Sequence, residues 1–224
     1  MLTSSPVHLP AGPAYRVAMF FEPGPAADEA AARRWPPERP PWTGPPGLET
    51  GVLLGTGRVV ARSEHVAVFL PAIRVFSTGC MLEGEIVTRQ AGLPEDEWWD
   101  LRLSVHRGYR GFQGPRLPDK LLRLGVRFPD GGKATTLDRG RDGRDDEPPA
   151  GPVLSWWPGS SGTRDGGELG FNHFGLWLWP VPPTAGFEFA VEWPFGGIAE
   201  TIVELDGAAI AAAAARPGYY WPPG

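Results

Sequence analysis

Glycine and proline interrupt this sequence at short intervals and make up more than a quarter of it, with 31 and 27 of the 224 residues. Without a collagen period, such a content is typical of low-complexity chains. Aromatic residues nevertheless reach 11%, a level that disordered chains lack. We therefore expect a folded protein in which short strands are joined by many turns and several long loops.

The runs between these interruptions predict strands. From Gly51 onward the chain offers about nine to eleven short β-branched or aromatic segments, separated by turn residues. One helix is predicted near the C-terminus, where Asp206 caps an alanine-rich run that Pro217 ends. The expected fold class is all-β: an antiparallel β-sandwich, or a flattened barrel, with one short C-terminal helix and long Pro/Gly-rich loops.

Alternation assigns faces to three of these segments: CMLEGEIVTR (80–89), DLRLSVH (100–106) and FEFAVEW (187–193). In a strand, neighbouring side chains point to opposite faces, so apolar positions at every second residue indicate the buried side. The predicted inward side chains are Leu82, Ile86, Leu101, Leu103, Val105, Phe187, Phe189, Val191 and Trp193.

Two hairpins are predicted. LLRLGVRFPDGGKATTL (121–137) contains Asp130-Gly131-Gly132, which supplies the positive-φ residues of a tight connection. In the second, FGLWLWPV pairs with FEFAVEW if PPTAG (182–186) is a five-residue loop. That register places Trp177 and Trp179 on the core side, opposite Val191 and Phe189.

The chain divides into a Pro/Ala-rich N-terminal arm at 1–50, with a candidate short first strand, and a single β-sandwich domain at 51–224. Loops at 138–152 and 158–168 lack large apolar side chains and are predicted to be flexible. In the arm, PPERPPW favours an extended polyproline conformation bracketed by Trp35 and Trp42. It is either a docking peptide for an aromatic groove or a strap on the domain's own surface; the strap is favoured.

The sequence contains no recognisable motif for catalysis, metal binding or nucleic-acid binding. A net charge of −5 and a pI of about 5.4 give no reason to expect nucleic acid. No signal peptide or membrane span is predicted, so we expect a cytoplasmic protein. Cys80 is the only cysteine and is expected to be buried, and the four histidines show no metal-ligand spacing. No catalytic residue, metal or cofactor is predicted.

Aromatic side chains supply the candidate binding residues. Adjacent tryptophans on a strand point to opposite faces, so at least one ring of each pair is a candidate platform for a ligand. Glu83 with Glu85, and Glu188 with Glu192, share strand faces as a glycosidase pair would, or as the solvated side of a sandwich does. The candidate binding residues are Trp98, Trp99, Tyr109, Trp156 and Trp157.

LLRLGVRFPDGGKATTL together with FEFAVEWPFGGIAETIVELDGAAI resembles a group of uncharacterised proteins from high-GC actinobacteria. The similarity covers the second half of the chain. It implies a cytoplasmic bacterial protein and carries over no site residue.

Two functions remain open. The first is a non-catalytic β-sandwich that acts by binding or assembly with a protein partner, including self-association. The alternative is a carbohydrate-binding or carbohydrate-cleaving protein that uses exposed tryptophans and a glutamate pair. It requires Trp98, Trp99, Trp156 or Trp157 to be exposed beside two carboxylates.

Overall fold

The structure is a computed structural model that describes residues 39–105, 116–138 and 148–221. Contacts group residues 38–224 into one compact unit. Its strands and helices follow in chain order: β1 (Val52–Arg62), β2 (Val66–Val75), β3 (Cys80–Arg89), α1 (Glu95–Ser104), β4 (Arg123–Arg127), β5 (Lys133–Thr135), β6 (Val153–Arg164), β7 (Leu169–Trp179), β8 (Phe187–Trp193), β9 (Ile198–Leu205) and α2 (Gly207–Ala214).

The strands form two antiparallel sheets, which confirms the predicted all-β sandwich. The five-stranded sheet has the order β1-β2-β3-β7-β6, and the four-stranded sheet has the order β5-β4-β8-β9. Strand β1 lies beside β9 and β5 beside β6, so the two sheets approach each other at both edges without closing into a barrel. Within the described ranges, no helix is long and apolar enough to cross a membrane.

The predicted faces of β3 and β8 are confirmed. Leu82 and Ile86 are fully buried, whereas Glu83 and Glu85 lie on the outward face. On β8 the four apolar side chains are buried and Ala190 alternates with the two glutamates outside. Side chains of both sheets thus meet in one core, as expected when each sheet buries one face.

The hairpin of β4 and β5 is also confirmed. The Phe128 and Gly131 amides close its turn on the carbonyls of Gly132 and Phe128, and Gly131 adopts a φ of 88°. Asp130 accepts a hydrogen bond from the Gly132 amide at 2.8 Å. Glycine is required at the positive φ, so the Asp-Gly-Gly sequence predicts this turn for a physical reason.

The strand predicted for DLRLSVH (100–106) is wrong, because residues 100–104 belong to α1 and Val105 to the turn after it, while His106 lies outside the described residues. Trp98, Leu101 and Val105 are buried, a helical spacing, while Leu103 is 56% exposed. Three acidic residues occupy the first turn of α1, where the positive end of the helix dipole favours them. Leu101, Leu103 and Val105 mimic strand alternation, and this acidic start is the signal that distinguishes the helix.

The hairpin predicted for FGLWLWPV and FEFAVEW is wrong as well. Strand β7 pairs with β3 and β6, whereas β8 pairs with β4 and β9, so the connection between them crosses from one sheet to the other. Pro180, Pro182 and Pro183 have no amide proton, so this connection cannot donate the hydrogen bonds that extend a hairpin ladder.

The loop predicted at 158–168 is largely strand. Residues 158–164 form the second half of β6, and Asp165–Gly167 is a single 3-10 turn before β7. Strand β6 is at the edge of its sheet, and its residues 157–160 are exposed. This part of the strand is stabilised by its backbone hydrogen bonds to β7, and it does not need the alternating apolar side chains that would have predicted it. Of the second predicted loop, 138–152, residues 139–147 lie outside the described part of the chain.

Helix α2 confirms the C-terminal prediction. The Asp206 carboxylate accepts a hydrogen bond from the Ala209 amide at 3.0 Å, which caps the helix. Ile210 is fully buried against the sandwich core, deeper than a shallow surface helix would place it.

Candidate functional site

Residues 39–50, named here the strap, lie against the outward face of the five-stranded sheet. The Thr43 amide and hydroxyl both donate to the Pro40 carbonyl, at 3.0 and 2.8 Å, which folds the start of the strap into a turn. The end of the strap is held by Glu49, which is buried and accepts hydrogen bonds from the Ser77 amide (2.8 Å) and hydroxyl. Residues 39–50 therefore act as a strap, while Trp35 lies outside the described residues.

Trp177 is one of the residues that the strap contacts. It pairs with Met81, so its ring points away from the sandwich core, and it is nevertheless completely buried. Its Nε1 donates to the Pro41 carbonyl at 3.0 Å, and its ring meets Phe76 edge-on at 5.8 Å. The prediction that Trp177 is buried is correct, but the prediction that it faces Val191 in the core is wrong.

Trp179 and Trp157 complete an aromatic surface beneath the strap. Trp42 packs edge-on against Trp179, with ring centroids 5.9 Å apart. Gly44 lies so close to the Trp157 ring that a Cβ at this position would be 2.8 Å from Cζ2. We name the surface formed by Trp157, Trp177 and Trp179 the strap groove.

The tryptophan pair on β6 confirms the prediction of opposite faces. Trp156 stacks on Phe174 on the core side, with centroids 4.8 Å apart and an interplanar angle of 14°. Trp157 points outward and is 36% exposed. Only Trp157 of this pair offers a surface to a ligand.

The other tryptophan pair lies on α1. Trp98 is buried, while Trp99 is 47% exposed. The Arg102 guanidinium lies 5.4 Å from the Trp98 ring and 4.6 Å from the Trp99 ring. Trp98 and Trp99 are thus on a different element from Trp156 and Trp157, and no described contact joins the two pairs. Tyr109 lies outside the described residues.

The outward carboxylates of β3 lie in ion pairs. Arg74 donates to Glu83 at 2.8 Å, and Glu85 lies 3.6 Å from Arg164 and 3.8 Å from His173. Glu85 Oε1 is buried and has no hydrogen-bond partner among the described residues.

Glu188 and Glu192 lie on the outward face of the other sheet, beside arginines of β4. Arg127 donates to Glu188, and this hydrogen bond holds the pKa of the Glu188 carboxyl below its usual value. Arg123 lies 2.7 Å from Glu192. This arrangement is a row of cross-strand ion pairs on a solvated sheet face.

An exposed apolar cluster, which the sequence reasoning missed, lies where the strap meets the C-terminal segment. The Thr50 amide donates to Gly218 and the Tyr220 amide to Leu48, at 2.9 and 3.1 Å. We name this cluster the terminal aromatic patch; its members are Leu48 (66% exposed), Tyr219 (44%), Tyr220 (62%) and Trp221 (72%). The signal in the sequence is the run Gly218-Tyr219-Tyr220-Trp221 beyond the last helix.

Two further features of the described residues bear on chemistry, the grouping of potential metal ligands and the thiol of Cys80. Across 39–105, 116–138 and 148–221, no three His, Cys, Asp or Glu side chains lie together as a metal site would require. Cys80 is fully buried, as expected, and burial raises the pKa of its thiol to about 12. A thiol in that state is not an activated nucleophile.

Comparisons with known proteins give no relative. No protein-family model matches the chain, and no curated protein or solved structure is significantly similar to it. The resemblance to actinobacterial proteins stays a prediction.

Proposed function

We propose that this protein is a non-catalytic β-sandwich that binds a protein partner through the terminal aromatic patch. The observation that carries the proposal is the exposure of Tyr220, Trp221 and Leu48 at one place on the surface. Exposed clusters of large apolar side chains mark interaction sites on soluble proteins, and Tyr and Trp are enriched among the residues that dominate binding energies.

The backbone around the patch supports the same function. Residues 48–50 and 218–220 are joined by two backbone hydrogen bonds, which form an antiparallel β-bridge between Glu49 and Tyr219. Glu49 is in turn fixed to Ser77 in the turn between β2 and β3. A surface that is ordered before binding loses less conformational entropy when a partner arrives.

Affinity capture with paired variants tests the proposal. The tagged protein and its Tyr220→Ser/Trp221→Ser variant are used in parallel, and a protein retained only by the wild type is purified and titrated against both. We expect at least a tenfold weaker affinity for the variant. Leu103→Ser, which changes an exposed apolar residue on α1, is the matched control and should bind like the wild type. Equal affinity of all three proteins would refute the proposal.

Carbohydrate binding is the second candidate, and the position of Trp157 favours it. Trp157 on β6 and Glu83 on β3 both pair with Gly175 of β7, so an exposed ring and a carboxylate lie in one row, and the Met81 side chain covers the glycine between them. A sugar ring stacked on Trp157 could then reach Glu83 and Arg74 with its hydroxyl groups.

This second candidate is tested by titrating cello- and malto-oligosaccharides while the tryptophan fluorescence is recorded. A saturable change that is lost in Trp157→Ala and kept in Trp99→Ala is the expected result. If neither sugar series changes the emission, or if both variants respond like the wild type, carbohydrate binding at this face is rejected.

The bacterial cytoplasm is the location that we propose. A lone cysteine cannot form an intrachain disulfide, which suits a reducing compartment.

A further inference from the structure

We propose that Asp165, in the turn between β6 and β7, is a site of spontaneous covalent modification, at which the backbone is rerouted through the side chain to give isoaspartate. This reaction is fastest where a glycine follows the aspartate, because glycine has no side chain to hinder the attacking amide. In the described residues, Asp-Gly steps begin at Asp130, Asp165 and Asp206. Their surroundings differ, and only those of Asp165 leave the reaction open.

The reaction balances with water as the only other reactant. The Gly166 amide nitrogen attacks Cγ of the protonated Asp165 carboxyl, and the amide proton leaves with the hydroxyl group as one water molecule. Water then adds to the α-carbonyl carbon of residue 165 in the cyclic imide, and the original peptide bond to Gly166 breaks. The chain now runs through Cβ and Cγ of residue 165, the former peptide carbonyl is a carboxylate, and the mass is unchanged.

The turn is strained at a residue that carries a side chain. Asp165 has a φ of 51°, and Gly166 and Gly167 follow with φ values of 68° and 106°. A left-handed backbone is free of strain for glycine but unfavourable for a residue with a Cβ, although aspartate tolerates it better than most. Leaving this conformation therefore costs Asp165 less than leaving an unstrained turn would.

The turn also leaves room for the ring to close. Asp165 and Gly166 are exposed, and a Cβ at Gly166 or Gly167 would meet no atom within 4 Å. No hydrogen bond or ion pair to another described residue holds the Asp165 carboxylate. The Glu168 amide donates to the Asp165 carbonyl at 3.2 Å, and this bond engages neither the carboxylate nor the Gly166 amide.

The Asp-Gly step of the β4–β5 hairpin is held by two hydrogen bonds. The Asp130 carboxylate accepts from the Gly132 amide at 2.8 Å, and the Gly131 amide, which would be the attacking group, donates to the Phe128 carbonyl at 3.0 Å. Both bonds have to break before a ring can close.

The step at the start of α2 is held by its cap and by packing. The Asp206 carboxylate accepts from the Ala209 amide at 3.0 Å. Gly207 is buried, and a Cβ there would lie 1.9 Å from the Pro183 carbonyl oxygen. An additional backbone atom has no space at this position.

Modification at Asp165 would alter the end of the β6–β7 hairpin. Arg164, the preceding residue, pairs with Leu169 across the two strands, stacks on the Phe171 ring at 4.4 Å and lies 3.6 Å from Glu85. Isoaspartate lengthens the connection from Arg164 to Leu169 by one backbone atom and places a carboxylate on the backbone beside Arg164. We expect the pairing at this end to loosen, while the core is unaffected.

The test is to incubate the full chain at neutral pH in water enriched in heavy oxygen, which labels each passage through the imide. Electron-transfer fragmentation of its peptides then locates isoaspartate residue by residue. We expect isoaspartate at Asp165 to accumulate about tenfold faster than at Asp130 or Asp206, since each hydrogen bond that has to break first lowers the rate severalfold. Isoaspartate that forms at Asp165 no faster than at the other two, or not at all, overturns the proposal.

The same measurement in guanidinium chloride separates the effect of structure from that of sequence. In the unfolded chain the three steps should isomerise at similar rates, because the hydrogen bonds of Asp130 and Asp206 are lost. A preference for Asp165 that persists in denaturant would assign it to the neighbouring sequence and overturn the structural inference.

Two conservative variants complete the test. Asp165→Glu, whose longer side chain would have to close a six-membered ring, should abolish the signal at 165, and Asp130→Glu should leave it unchanged. Both positions are exposed and both variants keep the charge, so the fold is preserved. A signal from the 165–167 turn that survives Asp165→Glu would overturn the assignment.

Discussion

Glu49 is a buried carboxylate whose two hydrogen bonds from Ser77 hold the end of the strap. We expect Glu49→Ala to lower the free energy of unfolding by roughly 2–3 kcal/mol, because hydrogen bonds to charged groups contribute more than neutral ones and Ser77 is left unpaired. Urea unfolding measures the change. Glu200→Ala, at an exposed position on β9, is the control and should stay within about 0.5 kcal/mol of the wild type.

Trp177 and Trp193 are both completely buried, yet their indole nitrogens differ. Trp177 Nε1 donates to Pro41, whereas Trp193 Nε1 is buried without a hydrogen-bond partner among the described residues. Replacement by Phe removes the same atoms from each. We expect Trp177→Phe to cost about 1–2 kcal/mol more than Trp193→Phe, since only the first loses a bond and orphans a carbonyl.

Chemical denaturation of the two Phe variants measures this difference. Equal losses, or a larger loss for Trp193→Phe, would mean that the bond to Pro41 does not contribute to stability. The strap would then be held by ring packing alone.

At the level of elements, the geometry of α1 determines how much each of its two tryptophans contributes to the stability of the fold. Trp98 faces the core, whereas Trp99 is half-exposed and meets Arg102. Trp98→Ala should destabilise by about 3–5 kcal/mol, the usual cost of removing a buried tryptophan, and Trp99→Ala by about 1 kcal/mol or less. Thermal unfolding of both variants tests the prediction. Similar losses for the two would contradict the helix.

Asp206 tests the start of α2 in the same way. Its carboxylate caps the helix at the Ala209 amide and is itself exposed, so no core packing is disturbed by its replacement. We expect Asp206→Ala to cost about 1 kcal/mol, while Asp206→Asn, which is also a good cap, should be close to the wild type. Urea unfolding of the two variants measures both changes in the free energy of unfolding. An equal loss for Asn and Ala would show that the cap is not the cause.

Strands with one buried face could be predicted from the sequence, because alternation reports burial directly. This holds for β3, β8 and the β4–β5 hairpin. Prediction from alternation fails where another interaction determines the secondary structure of the segment. In α1 the leucine spacing imitates a strand, and in β6 the edge residues 157–160 face solvent on a backbone fixed by β7. The sheet to which β7 or β8 belongs depends on pairing with strands far away in the sequence, β3 for β7 and β4 for β8.

At the scale of the molecule, the position of the tryptophans could not be predicted for the same reason. The pairing of Trp177 with Met81 of β3 places it on the outward face of its sheet, where a buried indole is not expected. The strap, more than a hundred residues away in sequence, converts that face into a second apolar layer. The sequence of β7 does not indicate that the strap packs on it. The strap groove and the terminal aromatic patch are therefore seen only in the folded structure.

The thiol of Cys80 makes the stability of the whole sandwich depend on alkaline pH. Burial raises the pKa of this thiol from 9.0 to about 12, so above pH 9 the unfolded chain releases a proton that the folded chain keeps. The thiol therefore stabilises the fold fully below pH 9, and its contribution falls as the pH rises from 9 towards 12. The slope approaches about 1.4 kcal/mol for each pH unit.

Comparison with Cys80→Ala isolates this contribution, because every other titrating group is common to both chains. At pH 7.5 the variant should be less stable by the constant cost of the small cavity that the substitution leaves. Between pH 9 and 10.5 the difference in the free energy of unfolding should shrink by about 2 kcal/mol. Urea unfolding at matched ionic strength measures it. A difference that stays constant to pH 10.5 would mean that the folded chain lets solvent reach the thiol, and that the core opens at this end of β3.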